Sequence, residues 1–275
     1  MIDWFLHPAV QAGVVPFLTS LVIAIALMRA APSYSDIAPV IAFLIAHIII
    51  YGVGDEALPW ALKIIVISML AAVLGLFLDR LEMHPNYLRS ILWFIGMAGA
   101  LWVFGPELKK MDPSNALLMG IMLTFYPAWM TWGLSEIRFR PVQVYIGLTL
   151  LGLGTGIVAV LGGSELAGQL AFAIGFASGA GLYLSVIAKW DFPTGLAITL
   201  PAGIALGLLG VAALTYAMLS PISLVALALI PLVLLILSED ALDNMGGLLL
   251  WGGVLLSVVG VAVFLAYVGV IGGYI

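Results

Sequence analysis

Few side chains in this sequence can exchange a proton near neutrality, and several of them gather in its first quarter. Asp36, Val40, Phe43, His47 and Tyr51 recur at spacings of three and four residues, which places them on one face of a helix. Lys63 follows on the next apolar segment, and Asp55 and Glu56 occupy the short connection between. A helical hairpin folded about that connection would bring His47, Lys63, Asp55 and Glu56 together. An imidazole titrates at about 6.5 when unperturbed, and a nearby carboxylate or ammonium moves it across neutrality. The chemistry implied is a protonatable vestibule on a proton or solute pathway. The plainer expectation has Lys63 stretched to the interface and His47 bonded to a backbone carbonyl.

Prolines inside apolar segments supply a second kind of candidate. Pro16, Pro127 and Pro201 each remove a helical hydrogen bond and free a carbonyl. Tyr126 precedes Pro127, and Thr199 lies two residues before Pro201, so hydroxyls stand beside the freed carbonyls. Such breaks either coordinate a polar solute or act as simple kinks.

Catalytic chemistry finds little support. The run Glu239-Asp240-Ala241-Leu242-Asp243 resembles the Mg²⁺-diphosphate clusters of membrane prenyltransferases. That resemblance implies a second acidic cluster, and neither Asp79 with Glu82 nor Asp191 matches the pattern. The run reads instead as a solvated turn whose Asp243 or Asn244 caps the following helix. Ser178, in Gly175-Phe-Ala-Ser-Gly-Ala-Gly181, is the best-placed serine, but no histidine follows His84 to serve it as a base. HExxH and phosphate-loop motifs are absent, and only His47 is placed to ligate a haem within an apolar segment. With no cysteine there is no thiolate site. No catalytic residue, metal site or cofactor is expected.

The elements that must carry these residues are read from composition. The chain has 275 residues, of which 64% are hydrophobic and 8% charged, with mean hydropathy +1.24. A soluble domain carries roughly a quarter charged residues, so this chain could not cover its surface in water. The scattered cations and net charge of -5 also argue against nucleic-acid binding. The expected fold is all-α: a polytopic membrane helix bundle of about ten transmembrane helices with short loops. A crossing needs roughly 20 apolar residues. Ten segments qualify: Val10–Met28, Asp36–Val53, Trp60–Leu78, Arg89–Phe104, Ser114–Trp132, Pro141–Leu161, Leu166–Ile187, Gly195–Met218, Ile222–Leu237 and Gly246–Val270. The fourth and ninth are short. Tryptophans fall toward segment ends or in connections, as amphipathic rings do at headgroup level.

Six cations (Arg29, Arg80, Arg89, Arg138, Arg140 and Lys189) fall on one side of the alternating connections, and Lys63, Lys109 and Lys110 on the other. The bias predicts an outside N-terminus and, after ten crossings, an outside C-terminus. The segment Met1–Met28 lacks a basic start, so it is expected to be retained rather than cleaved. One membrane domain accounts for the chain, and five crossings in each of 10–132 and 141–270 permit an inverted duplication. Residues 1–137 hold 9 glycines and residues 138–275 hold 22. The pairs Gly152/Gly156, Gly175/Gly179 and Gly203/Gly207 predict close helix packing in the second half.

These features predict an integral membrane protein of a prokaryotic cytoplasmic membrane. Two functions fit: a small secondary transporter of a small solute, or a non-transporting accessory or scaffold subunit. The first resembles drug/metabolite transporters in its ten crossings, without their motifs and with the opposite placement of the N-terminus. The expected partners are the lipid bilayer and either other membrane subunits or further copies of this chain.

Overall fold

The computed structural model describes residues 7–51, 59–81, 83–190, 192–217, 219–238 and 245–272, and among them there are helices and no strands. In chain order they are α1 (Val15–Ala30), α2 (Ala38–Tyr51), α3 (Pro59–Leu78), α4 (Pro85–Leu108), α5 (Pro113–Glu136) and α6 (Pro141–Leu161). There follow α7 (Glu165–Leu182), α8 (Leu196–Tyr216), α9 (Pro221–Leu227), α10 (Leu229–Ile236) and α11 (Met245–Gly272). Among the described residues nine helical segments are long and apolar enough to cross a membrane, and Pro221–Ile236 is a shorter tenth. The all-α polytopic bundle is therefore the observed fold.

Five helices begin at a proline, whose missing N–H would have had no helical partner there. His84 caps α4 by accepting from the Asn86 backbone N–H at 3.3 Å. The fourth crossing is not short: α4 runs 24 residues, because a polar first turn before Arg89 and Pro106 near its end are both helical. The ninth is broken into α9 and α10 at Ala228. Pro231 takes away the donor for the Leu227 carbonyl there, and the Trp129 indole N–H bonds the Ala228 carbonyl at 2.9 Å.

The bundle is built around α8, whose apolar window is entirely buried. Helices α3 and α5 flank it; α6 and α7 form the closest pair, with α1 and α2 laid on α7 and α11 on α6. Glycine makes these crossings close. Gly152 of α6 lies directly against the Gly175 backbone of α7, and a carbon added to Gly156 would stand 2.5 Å from the Phe172 ring. On α8, a carbon on Gly203 would stand 3.0 Å from Thr131 Cα. Gly179 departs from the expectation: a carbon added there would meet Phe17 and Thr149 at 3.9 Å, ordinary contact distance, so the crossing does not require glycine at that position.

Candidate functional site

The α2 stripe is buried as its spacing requires: Asp36, Val40, Phe43 and His47 all lie in the interior. His47, only 3% exposed, meets the Phe43 ring edge-on at 6.1 Å between centroids. Tyr51 ends α2, and its side chain, like Asp55 and Glu56, lies outside the described residues.

The helical hairpin that would join His47 to Lys63 is not formed. Helix α3 packs along α8, whereas α2 packs on α1 and α7. Lys63 instead reaches α4, where its Nζ donates to the Trp102 carbonyl at 3.2 Å and lies 5.9 Å from the Trp102 ring centroid. Pro106 explains this choice. It lacks the N–H that would bond the carbonyl four residues earlier, which is Trp102, and the ammonium fills the vacancy.

Three polar places are strung along α8. At its C-terminal end Lys63, Glu107, Glu165 and Ser164 line a cleft of about 630 Å³, with Trp60 and Tyr216 stacked at 5.6 Å as one wall. In the first half of α8, Pro201, Ser68 and Ser178 border a cavity of about 10 Å³, enough for roughly one water. Phe43 and Val40 of the α2 stripe line it too. Ser68 is satisfied by the Ile64 carbonyl at 2.7 Å, but the buried Ser178 hydroxyl has no hydrogen-bond partner.

The third place is the start of α8. Its N-cap is Gly195, which has no side chain with which to cap the helix. Asp79, at the end of α3, supplies the cap from across the bundle. Its Oδ1 accepts from the Leu196 N–H at 3.0 Å and its Oδ2 from the Ala197 N–H at 3.2 Å. The segment leading into α8 is held as well: the Thr194 hydroxyl donates to the Arg138 carbonyl at 2.6 Å and the Tyr145 hydroxyl to the Pro193 carbonyl at 3.3 Å. Asp36 converges on the same spot. A carbon on Gly195 would lie 2.5 Å from Asp79 Oδ2 and 3.4 Å from Asp36 Oδ2.

The proline breaks resolve differently. Pro16 follows a π turn, Val10–Val14, that closes with the Val15 N–H on the Val10 carbonyl. Pro127 is a packing element, with its Cα under Gly207 and its carbonyl accepting from Thr131 at 2.7 Å. Pro201 alone borders an interior cavity. Thr199 spends its hydroxyl on the Gly195 carbonyl at 2.9 Å, while the buried Tyr126 hydroxyl has no partner.

Sequence reasoning left Asp79 in a connection. The sequence shows a helix start, Gly195-Leu196, with no capping side chain of its own, but does not say which residue supplies the cap. Among the described residues no cluster of three or more metal-ligating side chains is present. No protein-family model matches the chain, and no curated protein matches it.

Proposed function

We propose that this multi-pass membrane protein is a small secondary carrier for a small polar solute, with α8 as the axis of the path. The observation that supports it most is the series of polar groups along a proline-containing helix whose apolar stretch is entirely buried. It runs from Asp36 and Asp79 at one end, through Pro201 and Ser178, to the Lys63 cleft at the other. At about 1.5 Å per residue a helix of this length spans the bilayer core. His47 lies on the same stripe as Asp36 and Phe43, and we assign it to the proton pathway.

The test needs no substrate. Native cysteine is absent, so Ser178→Cys reports whether water reaches the cavity beside Pro201. A path that opens makes this buried position reactive toward a small polar thiol reagent in membranes, while Leu151→Cys, sealed between helices, stays inert. Equal inertness at both positions overturns the carrier.

One observation favours the second reading, an accessory subunit or a homo-oligomer. Gly253, Ser257 and Gly260 make an exposed line of small residues on α11, with open space over both glycines. Small residues on a lipid-facing surface suit close contact with another helix. Disulfide formation between copies carrying Ser257→Cys would support the oligomer.

A further inference from the structure

We propose that Asp36 and Asp79 form a proton-binding pair at the N-terminus of α8, in which Asp36 carries the proton and Asp79 stays ionised. Both oxygens of Asp79 are engaged by N–H groups of the first turn of α8, and the positive end of the helix dipole favours a charge there. Asp36 is less well supported. It is 6% exposed, and its Oδ1 is buried with no hydrogen-bond partner. Backbone N–H groups of Asp36 itself and of Ile37 face the carboxyl. The distances through Gly195 place the two carboxylates within about 6 Å of each other, where each charge opposes the other.

The surrounding charges do not relieve that opposition. Arg29 on α1 is exposed, and Arg80 donates to the Tyr34 hydroxyl. Arg138 donates to the Ser135 carbonyl, and Tyr145 of α6 gives its hydroxyl to Pro193. Helix α8 contributes no charged residue, and His47 lies about three turns farther along α2. Among the described residues neither carboxylate forms an ion pair. A metal cation is disfavoured here because the helix presents its N–H groups to the site. A proton removes the charge at Asp36 without asking for further ligands. It arrives from water at the arginine-bearing end, converts the carboxylate to the acid, and leaves by the same route.

Its release places a second negative charge beside Asp79, which favours parting Asp36 from the start of α8. The site stands on its own geometry; only its use in transport rests on the carrier reading. The proton also sets the sign of a pH effect. A fold that holds Asp36 as the acid is stabilised while that proton stays bound, and it loses this stability as rising pH removes it.

Infrared spectroscopy of the purified full chain reads the proton directly. At pH 7 an ordinary aspartate, with a pKa of about 3.9, is ionised and shows no acid carbonyl band. The expected result is such a band in the native protein, moved by carbon-13 labelling of aspartate and lost in Asp36→Asn. Thermal stability should fall as pH rises in the native protein, and that fall should be lost in Asp36→Asn. Absence of the labelled band in the native protein overturns the proposal, and so does its persistence in Asp36→Asn. The labelled native protein decides the matter even if the variant fails to fold. A band together with an inert Ser178→Cys keeps the proton site and removes the carrier.

Discussion

Gly207 of α8 sits directly on Pro127 of α5, so that a carbon added to the glycine would stand 2.5 Å from the proline Cα. Two features that looked separate in the sequence, a small-residue pair and an intramembrane proline, are thus the two sides of one crossing. Backbone lies on backbone there, and no flexible side chain can yield. Gly207→Ala should therefore lower stability by about 1–3 kcal/mol, the usual cost of overpacking. Gly179→Ala, with its neighbours 3.9 Å away, should change it little. Thermal unfolding in detergent checks both. Equal effects would show that the α5–α8 crossing opens without cost.

How much of this was legible beforehand depends on the length scale of each signal. The crossings were readable because apolar length and proline starts are local: Pro141–Leu161 has the same bounds in the sequence reading and in the structure. The burial of the Asp36–His47 stripe was readable for the same reason. The partners of Lys63 and Asp79 were not. The spacing predicts that Lys63 meets His47 on the preceding crossing, but its partner carbonyl is freed by Pro106, which lies outside the expected span of the next one. Asp79 joins a helix start 117 residues away, and that pairing follows from the placement of α3 beside α8, which no local pattern encodes.

The Lys63–Trp102 bond predicts a specific rescue. Lys63→Met keeps the apolar stem and deletes the donor, which should cost about 0.5–1.5 kcal/mol. Pro106→Ala restores a backbone N–H able to reach the Trp102 carbonyl. In that background Lys63→Met should cost measurably less. A double-mutant cycle in thermal unfolding reads the difference, and strict additivity would mean that the ammonium contributes nothing at this carbonyl.

Membrane orientation is open to a clean chemical test because native cysteine is absent. The distribution of Lys and Arg predicts that Leu81→Cys, on the arginine-bearing side, is shielded from an impermeant thiol reagent in intact cells. Ala57→Cys, in the connection that precedes α3 and on the opposite side, should react. Reaction at position 81 with none at 57 would invert the orientation and place the Asp36–Asp79 pair at the outer face.

His47 separates a pathway residue from a structural one. Its ring is buried against Phe43, one turn from the Ala42–Ala46 face that packs in the core, so a large replacement would not be accommodated. Glutamine is similar in size and retains hydrogen-bonding groups. His47→Gln should therefore fold, with a thermal midpoint near the parent's at one fixed pH. If the imidazole exchanges protons along the α2 stripe, the variant loses the histidine's part of the pH response. The part that depends on Asp36 should remain, so His47→Gln and Asp36→Asn should differ in which limb of the stability curve they flatten. The measurement is thermal stability from pH 5 to 8 for the parent and both variants. Should the His47→Gln curve overlay the parent's throughout, the imidazole only fills space, and the pathway narrows to the carboxylate pair at the start of α8.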